Sequence, residues 1–286
     1  MTVLVAIAAG IGCSLCNGIS TVQQKEGADD IHAVRFFDWS LLLRLLKNWP
    51  YLFGTFLAIV GYGLSLISLR VLPLFLVQSL IAASVLVTAF GERIFLHKRI
   101  GMNTYWALLV VLIGLVLLST GAVPGPATIH NQTARLLVEV APVPLTMFGM
   151  LLIYAKTRNK VATFTMSALS GLLFGNTSTI GRILVYPTPI WKVLENPIFY
   201  SLVFSAIAGQ YLFIVSLQRT LATKSNAVMI STQTLGPALC GLLFFDDKIQ
   251  SGYQLIVLSG GILVLIGAIA AAMTASRQSA ARKAPI

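Results

Sequence analysis

Charge is scarce in this chain of 286 residues: Asp, Glu, Lys and Arg together make up 10% of it, against about 25% in a typical soluble domain. Hydrophobic residues make up 57% and the mean hydropathy is +0.86, so the polar groups are too few to cover a water-facing surface. A soluble enzyme, a disordered chain and a collagen-like rod are all disfavoured, and the bilayer is the expected solvent. Acids are scarcest of all, nine against 20 basic residues, for a formal charge of +11. The basic excess lies between apolar runs rather than on one face, which argues against nucleic acid as a partner. Cysteine is rare as well. Cys13, Cys16 and Cys240 fall within apolar runs, where cysteine behaves as a small hydrophobe, so neither a disulfide framework nor a zinc site is expected. His97 and His130 are too scattered to form a ligand set. A Walker loop, a nucleophile elbow and zinc spacing are all missing from the sequence, so neither an enzyme nor a nucleotide-driven pump is expected, and no cofactor or metal is implied by motif.

What the sequence has in abundance is apolar runs. A membrane helix needs about 20 mostly apolar residues. Thr2–Val22, Asn48–Leu69, Val71–Phe90, Ile100–Ala134, Val161–Gly181, Asn196–Gln218, Ser225–Phe245 and Ile249–Ser276 contain no charged residue, and Leu136–Ala155 contains only Glu139. These runs predict an all-α integral membrane protein of nine spans. The first is read as a retained helix, since it has no basic leader. Residues 31–47 carry Asp38 and Arg44 among leucines. A charge at mid-bilayer costs about 2.5–3.5 kcal/mol, so this segment is placed as an interfacial amphipathic helix, with a short tenth span as the alternative. Across nine spans, 15 Lys and Arg fall on one side and five on the other. The positive-inside rule then puts the N-terminus outside and the C-terminus in the cytoplasm, with the plasma membrane as the expected location.

An internal repeat is visible. Ala58–Arg70 (AIVGYGLSLISLR) and Ala206–Gln218 (AIAGQYLFIVSLQ) align without gaps, sharing Ala, Ile, Gly, Leu, Ser and Leu. Gln78 stands fourteen residues before Glu92, as Gln233 stands fourteen before Asp247, and VLIG recurs at Val111–Gly114 and Val264–Gly267. The spans matched are second with seventh, third with eighth and fourth with ninth. An odd separation reverses direction across the membrane, which predicts two inverted-topology repeats, the arrangement that places a substrate site near the midplane. The expected units are residues 1–123 (four spans plus the interfacial helix), 135–276 (five spans) and a basic cytoplasmic tail at 277–286.

Val85–Gly101 (VLVTAFGERIFLHKRIG), followed by an apolar helix with VLIG, resembles the drug/metabolite transporter superfamily, EamA-like. Gly91–Glu92–Arg93 is similar to the turn between the last two helices of that superfamily's first half, and Phe245–Asp246–Asp247 to a degenerate second-half partner. Asn17 through Gln23–Gln24–Lys25 resembles the NIPA-like branch, whose members are described as magnesium transporters. The resemblance implies membrane transport. A hard divalent cation wants several oxygen ligands, and here the spans hold one acid, Glu139.

Any selective path must then be built from neutral polar groups. The candidate substrate-binding residues are Gln78 and Gln233, Tyr62 and Gln210 (paired by the alignment), Asn17 and Asn176; interhelical hydrogen bonding is the structural alternative. Glu139 is the candidate coupling group, being ionisable within a span, although Arg135 stands one turn away. Gly91, Glu92 and Asp247 are expected to be structural turn residues. Gly171 and Gly175 suggest a close helix crossing. The expected function is a secondary transporter or facilitator moving a small polar metabolite by alternating access at the repeat interface. The alternatives are a NIPA-like magnesium or divalent-cation transporter, a lipid or lipid-linked sugar flippase with a membrane-open groove, and a non-transporting scaffold. The partners expected are a small-molecule or ion substrate and membrane lipids, with a homodimer left open.

Overall fold

A computed structural model describes residues 3–30, 44–72, 77, 80–97, 101–120, 122–123, 132–154, 160–185, 190–244 and 248–281. The described chain is almost entirely helical: α1 (Val3–Asp29), α2 (Trp49–Leu69), α3 (Ser84–Ile94), α4 (Met102–Thr120), α5 (Gln132–Val140), α6 (Pro142–Tyr154), α7 (Lys160–Val185), α8 (Ile190–Glu195), α9 (Pro197–Arg219), α10 (Ala222–Phe244) and α11 (Gln254–Ala281). One short ladder departs from the all-α expectation. β1 (Ala122–Val123) pairs antiparallel with β2 (Lys248–Ile249), Ala122 opposite Ile249. Among the described residues, four helices are long and apolar enough to cross a membrane: Val3–Asp29, Trp49–Leu69, the stretch Arg135–Tyr154 made by α5 and α6, and Pro197–Arg219. Large apolar side chains stand exposed along their outer faces, Leu4, Phe56, Leu151 and Tyr200 among them. A water-soluble monomer rarely shows apolar surface on this scale. Most of the segment expected to be interfacial, residues 31–43, lies outside the described residues.

Local chemistry sets the helix ends. Asn48 caps α2, its side-chain oxygen accepting from the Tyr51 N–H at 3.1 Å, and Pro50 occupies the first turn, where no N–H partner is needed. α9 starts the same way, with Asn196 accepting from the Ile198 N–H at 3.2 Å and Pro197 following. Asn48 and Asn196 are equivalent in the gapless alignment of Ala58 with Ala206. The third apolar run does not form one helix. A turn at Ala83, closed by Ala83 N to Leu80 O at 3.2 Å and Leu86 N to Ala83 O at 3.0 Å, precedes α3. α10 carries Pro237 within it, where the missing N–H weakens the helix at a related height.

α1 is longer than the sequence suggests. Ending the first span at Val22, ahead of Lys25, placed that lysine in a loop; the helix instead continues to Asp29 and Lys25 is 4% exposed. Its ammonium is satisfied by Asp29 Oδ1 at 2.5 Å and by the Leu217 carbonyl at 2.6 Å, near the C-terminal end of α9. A buried cation is tolerated when it is paired and hydrogen-bonded, and the partial negative charge of a helix C-terminus adds to that.

Paired contacts fix the helix directions. α1 and α2 run antiparallel, Gly54 against Ser20 and Gln24, Gly61 against Asn17, and the Ser68 hydroxyl donating to Ala6 O at 2.9 Å. α7 and α9 run antiparallel too. Gly209 lies against Leu173 and Phe174, and the Ser216 and Ser167 hydroxyls are 2.8 Å apart. α1 runs parallel to α3, with Gly91 against Val22 and Gly18 against Val87; α7 runs parallel to α10, with Gly171 against Met229 and Gly175 against Gln233 and Pro237. The expected close crossing at Gly171 and Gly175 is therefore present. The two VLIG motifs meet each other. A Cβ on Gly114 would lie 2.8 Å from Val264 N, and one on Gly267 would lie 2.8 Å from Val111 N, so α4 and α11 cross antiparallel with their backbones in contact.

Candidate functional site: a cavity between α2 and α9

The bundle encloses a cavity of about 560 Å³, within the range of small-molecule sites. α1 contributes Asn17, Ser20 and Gln24; α2 contributes Tyr51, Tyr62 and Ser65; α7 contributes Thr177 and Ser178; α9 contributes Gln210; and α10 contributes Asn226 and Gln233. Apolar side chains fill the rest, Ile59, Phe174, Ile207 and Phe213 among them, and no charged side chain faces it among the described residues. Aligned residues of the two matched segments appear together on this wall: Ala58 with Ala206, Ile59 with Ile207, Tyr62 with Gln210, and Ser65 with Phe213. Ile81, beside the Ala83 turn, is also on it.

One end is closed by a side-chain network. Gln210 Nε2 donates to Gln24 Oε1 at 3.0 Å and to the Tyr51 hydroxyl at 3.3 Å. Gln24 Nε2 donates in turn to Ser20 Oγ at 3.2 Å, and the Ser20 hydroxyl donates to Gly54 O at 2.7 Å. This chain ties α9 to α1 and α1 to α2. The Lys25 contacts lie one residue beyond it, and Gln218 Nε2 donates to Ala28 O at 3.3 Å. Towards the other end, the Tyr62 hydroxyl donates to Thr177 O at 3.4 Å and Asn17 Nδ2 to Cys13 Sγ at 3.3 Å. Asn226 donates through Nδ2 to Thr88 Oγ1 at 2.8 Å, while its buried Oδ1 has no partner among the described residues.

Of the residues predicted from sequence, Asn17, Tyr62, Gln210 and Gln233 share this wall. Gln78 and Asp247 lie outside the described residues. Asn176 and Glu139 are placed elsewhere. The Asn176 amide donates to Val138 O at 3.1 Å and to Ser205 Oγ at 3.2 Å, holding α7 to α5 and α9. Both N–H groups are used between helices, and Asn176 is not among the residues that line the cavity. Glu139 pairs with Arg135 Nε at 3.0 Å, and its backbone oxygen accepts from Ser201 Oγ at 2.8 Å. The helical spacing of four residues makes that partner available locally, and Glu139 is not among the residues that line the cavity.

Glu92, expected in a turn, lies instead within α3. It is fully buried, and its carboxylate accepts from the N–H groups of Ala222 at 2.8 Å and Thr223 at 3.0 Å and from the Thr223 hydroxyl. A side chain on α3 therefore caps the N-terminus of α10, where orphan N–H groups and the helix dipole favour an anion. Gln24, Tyr51, Ser20 and Asn226 were missed as wall residues. Each lies close to a charged residue or a proline that marks the edge of an apolar run, so a search for mid-span polar groups passed over them.

No family model matches the chain, and no curated protein or solved structure matches it.

Proposed function

We propose that this is a membrane carrier or facilitator built from two inverted copies of one helical unit, with the cavity between α2 and α9 as its substrate site, exposed alternately to the two sides. The observation that carries it is the wall itself, to which residues equivalent in the internal alignment contribute as pairs, Tyr62 with Gln210 and Ile59 with Ile207. Support for inversion comes from two antiparallel crossings: α4 with α11 through the two VLIG motifs, and α3 with α10, where Thr88 meets Asn226 and Glu92 meets Ala222. Under this reading nine spans are present, the N-terminus lies outside and the C-terminus in the cytoplasm.

The wall chemistry favours an uncharged substrate. Gln, Asn, Ser, Thr and Tyr supply both donors and acceptors, whereas an ion entering would lose its hydration without gaining a counter-charge. A magnesium site would need carboxylates, and among the described residues none lines the cavity: Glu139 pairs with Arg135 and Glu92 is bound to the first turn of α10. The Gln210–Gln24–Tyr51 network serves as a gate, breaking and reforming as the two ends exchange access.

A thermal-shift screen of the purified protein tests this. Neutral polyols, sugars or lipid head groups should raise the Tm of the wild type, and the rise should be lost in Gln233→Leu. Stabilisation by magnesium alone, unchanged in Gln233→Leu, would reject it.

A further inference from the structure

The cavity has an open flank, and its position says where the substrate comes from. Along α2 the exposed apolar residues Trp49, Phe53, Phe56, Ile59 and Ile67 follow helical spacing and form the outward stripe; along α9 the stripe is Tyr200, Val203, Phe204 and Ile207. Two members of these stripes, Ile59 at 66% exposure and Ile207 at 51%, also line the cavity. The polar wall is therefore continuous with the apolar outer face at one height on both helices. In a membrane that face meets acyl chains, so the cavity opens sideways between α2 and α9.

We infer that the substrate enters from the bilayer through this gap, and that it is a lipid with an uncharged, hydroxyl-rich head group. The head sits against Asn17, Tyr62, Gln210, Asn226 and Gln233, and its apolar part extends past Ile59 and Ile207 into the surrounding chains. Three observations converge. The portal is flanked by isoleucine and alanine, which a sugar or polyol would cross at a cost and an acyl chain would not. Among the described residues, no charged side chain lines the interior to match an ionic head. Asn226 Oδ1, buried beside the cavity without a partner among the described residues, is an acceptor available to a hydroxyl donor. This inference rests on the carrier function proposed above and names its substrate class.

The test reconstitutes the full chain in phosphatidylcholine vesicles. Trace monoglucosyl diacylglycerol and phosphatidylglycerol, each labelled with NBD on an acyl chain, are followed by dithionite accessibility, and radiolabelled glucose is followed in parallel. Leaflet exchange of the glucolipid should rise about tenfold over protein-free vesicles. Phosphatidylglycerol should stay at the protein-free rate. The double variant Ile59→Trp, Ile207→Trp, which fills the gap, should bring the glucolipid back to that rate, while Ile67→Trp, on the same outward stripe but off the cavity wall, should not. Glucolipid exchange at the protein-free rate overturns the inference. If glucose crosses while the glucolipid does not, the sideways route falls and the carrier stands. Equal exchange of both lipids overturns the neutral-head assignment.

Discussion

Replacing Glu92 by alanine tests whether α3 and α10 are joined by a buried cap. The carboxylate, on α3, accepts three hydrogen bonds from the first turn of α10, from Ala222 N, Thr223 N and the Thr223 hydroxyl. A lost cap typically costs about 0.5–2 kcal/mol, and buried donors left without partners cost about 1–3 kcal/mol more. Part of this is offset because a carboxylate no longer has to be desolvated. The net loss for Glu92→Ala is about 3 kcal/mol. At about 2–4 °C per kcal/mol for a chain somewhat smaller than this one, Tm should fall by about 9 °C. Glu92→Gln keeps one acceptor oxygen at the same place and should lose about 1 kcal/mol, since one amide–carbonyl bond survives in place of a charge-assisted set. Thr223→Val removes only the hydroxyl. In a double-mutant cycle with Glu92→Ala it should show a coupling of about 1 kcal/mol, as residues sharing a hydrogen bond do. The assay is thermal unfolding in detergent, followed by the monodisperse fraction surviving on size exclusion. A Glu92→Ala protein melting within about 1 °C of wild type, less than the smallest cap effect predicts, would refute the account.

Two further substitutions should act in opposite directions. Gly267→Ala would place a methyl 2.8 Å from Val111 N and 2.9 Å from Ala107 O, and overpacking against backbone should cost about 1–3 kcal/mol, read as a lower Tm; an unchanged Tm would show that α4 and α11 are not in backbone contact. Gly63→Ala meets nothing within 4 Å in the interior of α2, and should stabilise by about 0.4–1 kcal/mol through the unfolded chain; a clear loss of stability there would mean that this face of α2 is covered.

Much of the architecture was legible in the sequence because its signals are local. Composition pointed to the solvent, the Asn48 and Asn196 caps mark helix starts within their own turns, and the Gly171 and Gly175 spacing announced a close crossing that the structure places against α10. The four wall residues Asn17, Tyr62, Gln210 and Gln233 were found because polar groups in mid-span are conspicuous. What escaped depends on partners far along the chain. Lys25 reads as the end of a span until the Leu217 carbonyl is brought to it, and Glu92 reads as a turn residue until α10 arrives. Asn176 looked like Asn17 by type and by height. Only the arrival of Val138 and Ser205 decides that one amide serves the bundle while the other borders the cavity.

The seam where α4 meets α11 has a mechanical corollary. Main chain touching main chain, at 2.7 Å between a Cβ built on Gly114 and the Gly260 oxygen, leaves no slack for the two helices to slide along each other. They can only tilt. Since neither helix contributes a described residue to the cavity wall, this contact is a rigid seam set apart from the chamber, and a change in the shape of the chamber need not disturb it.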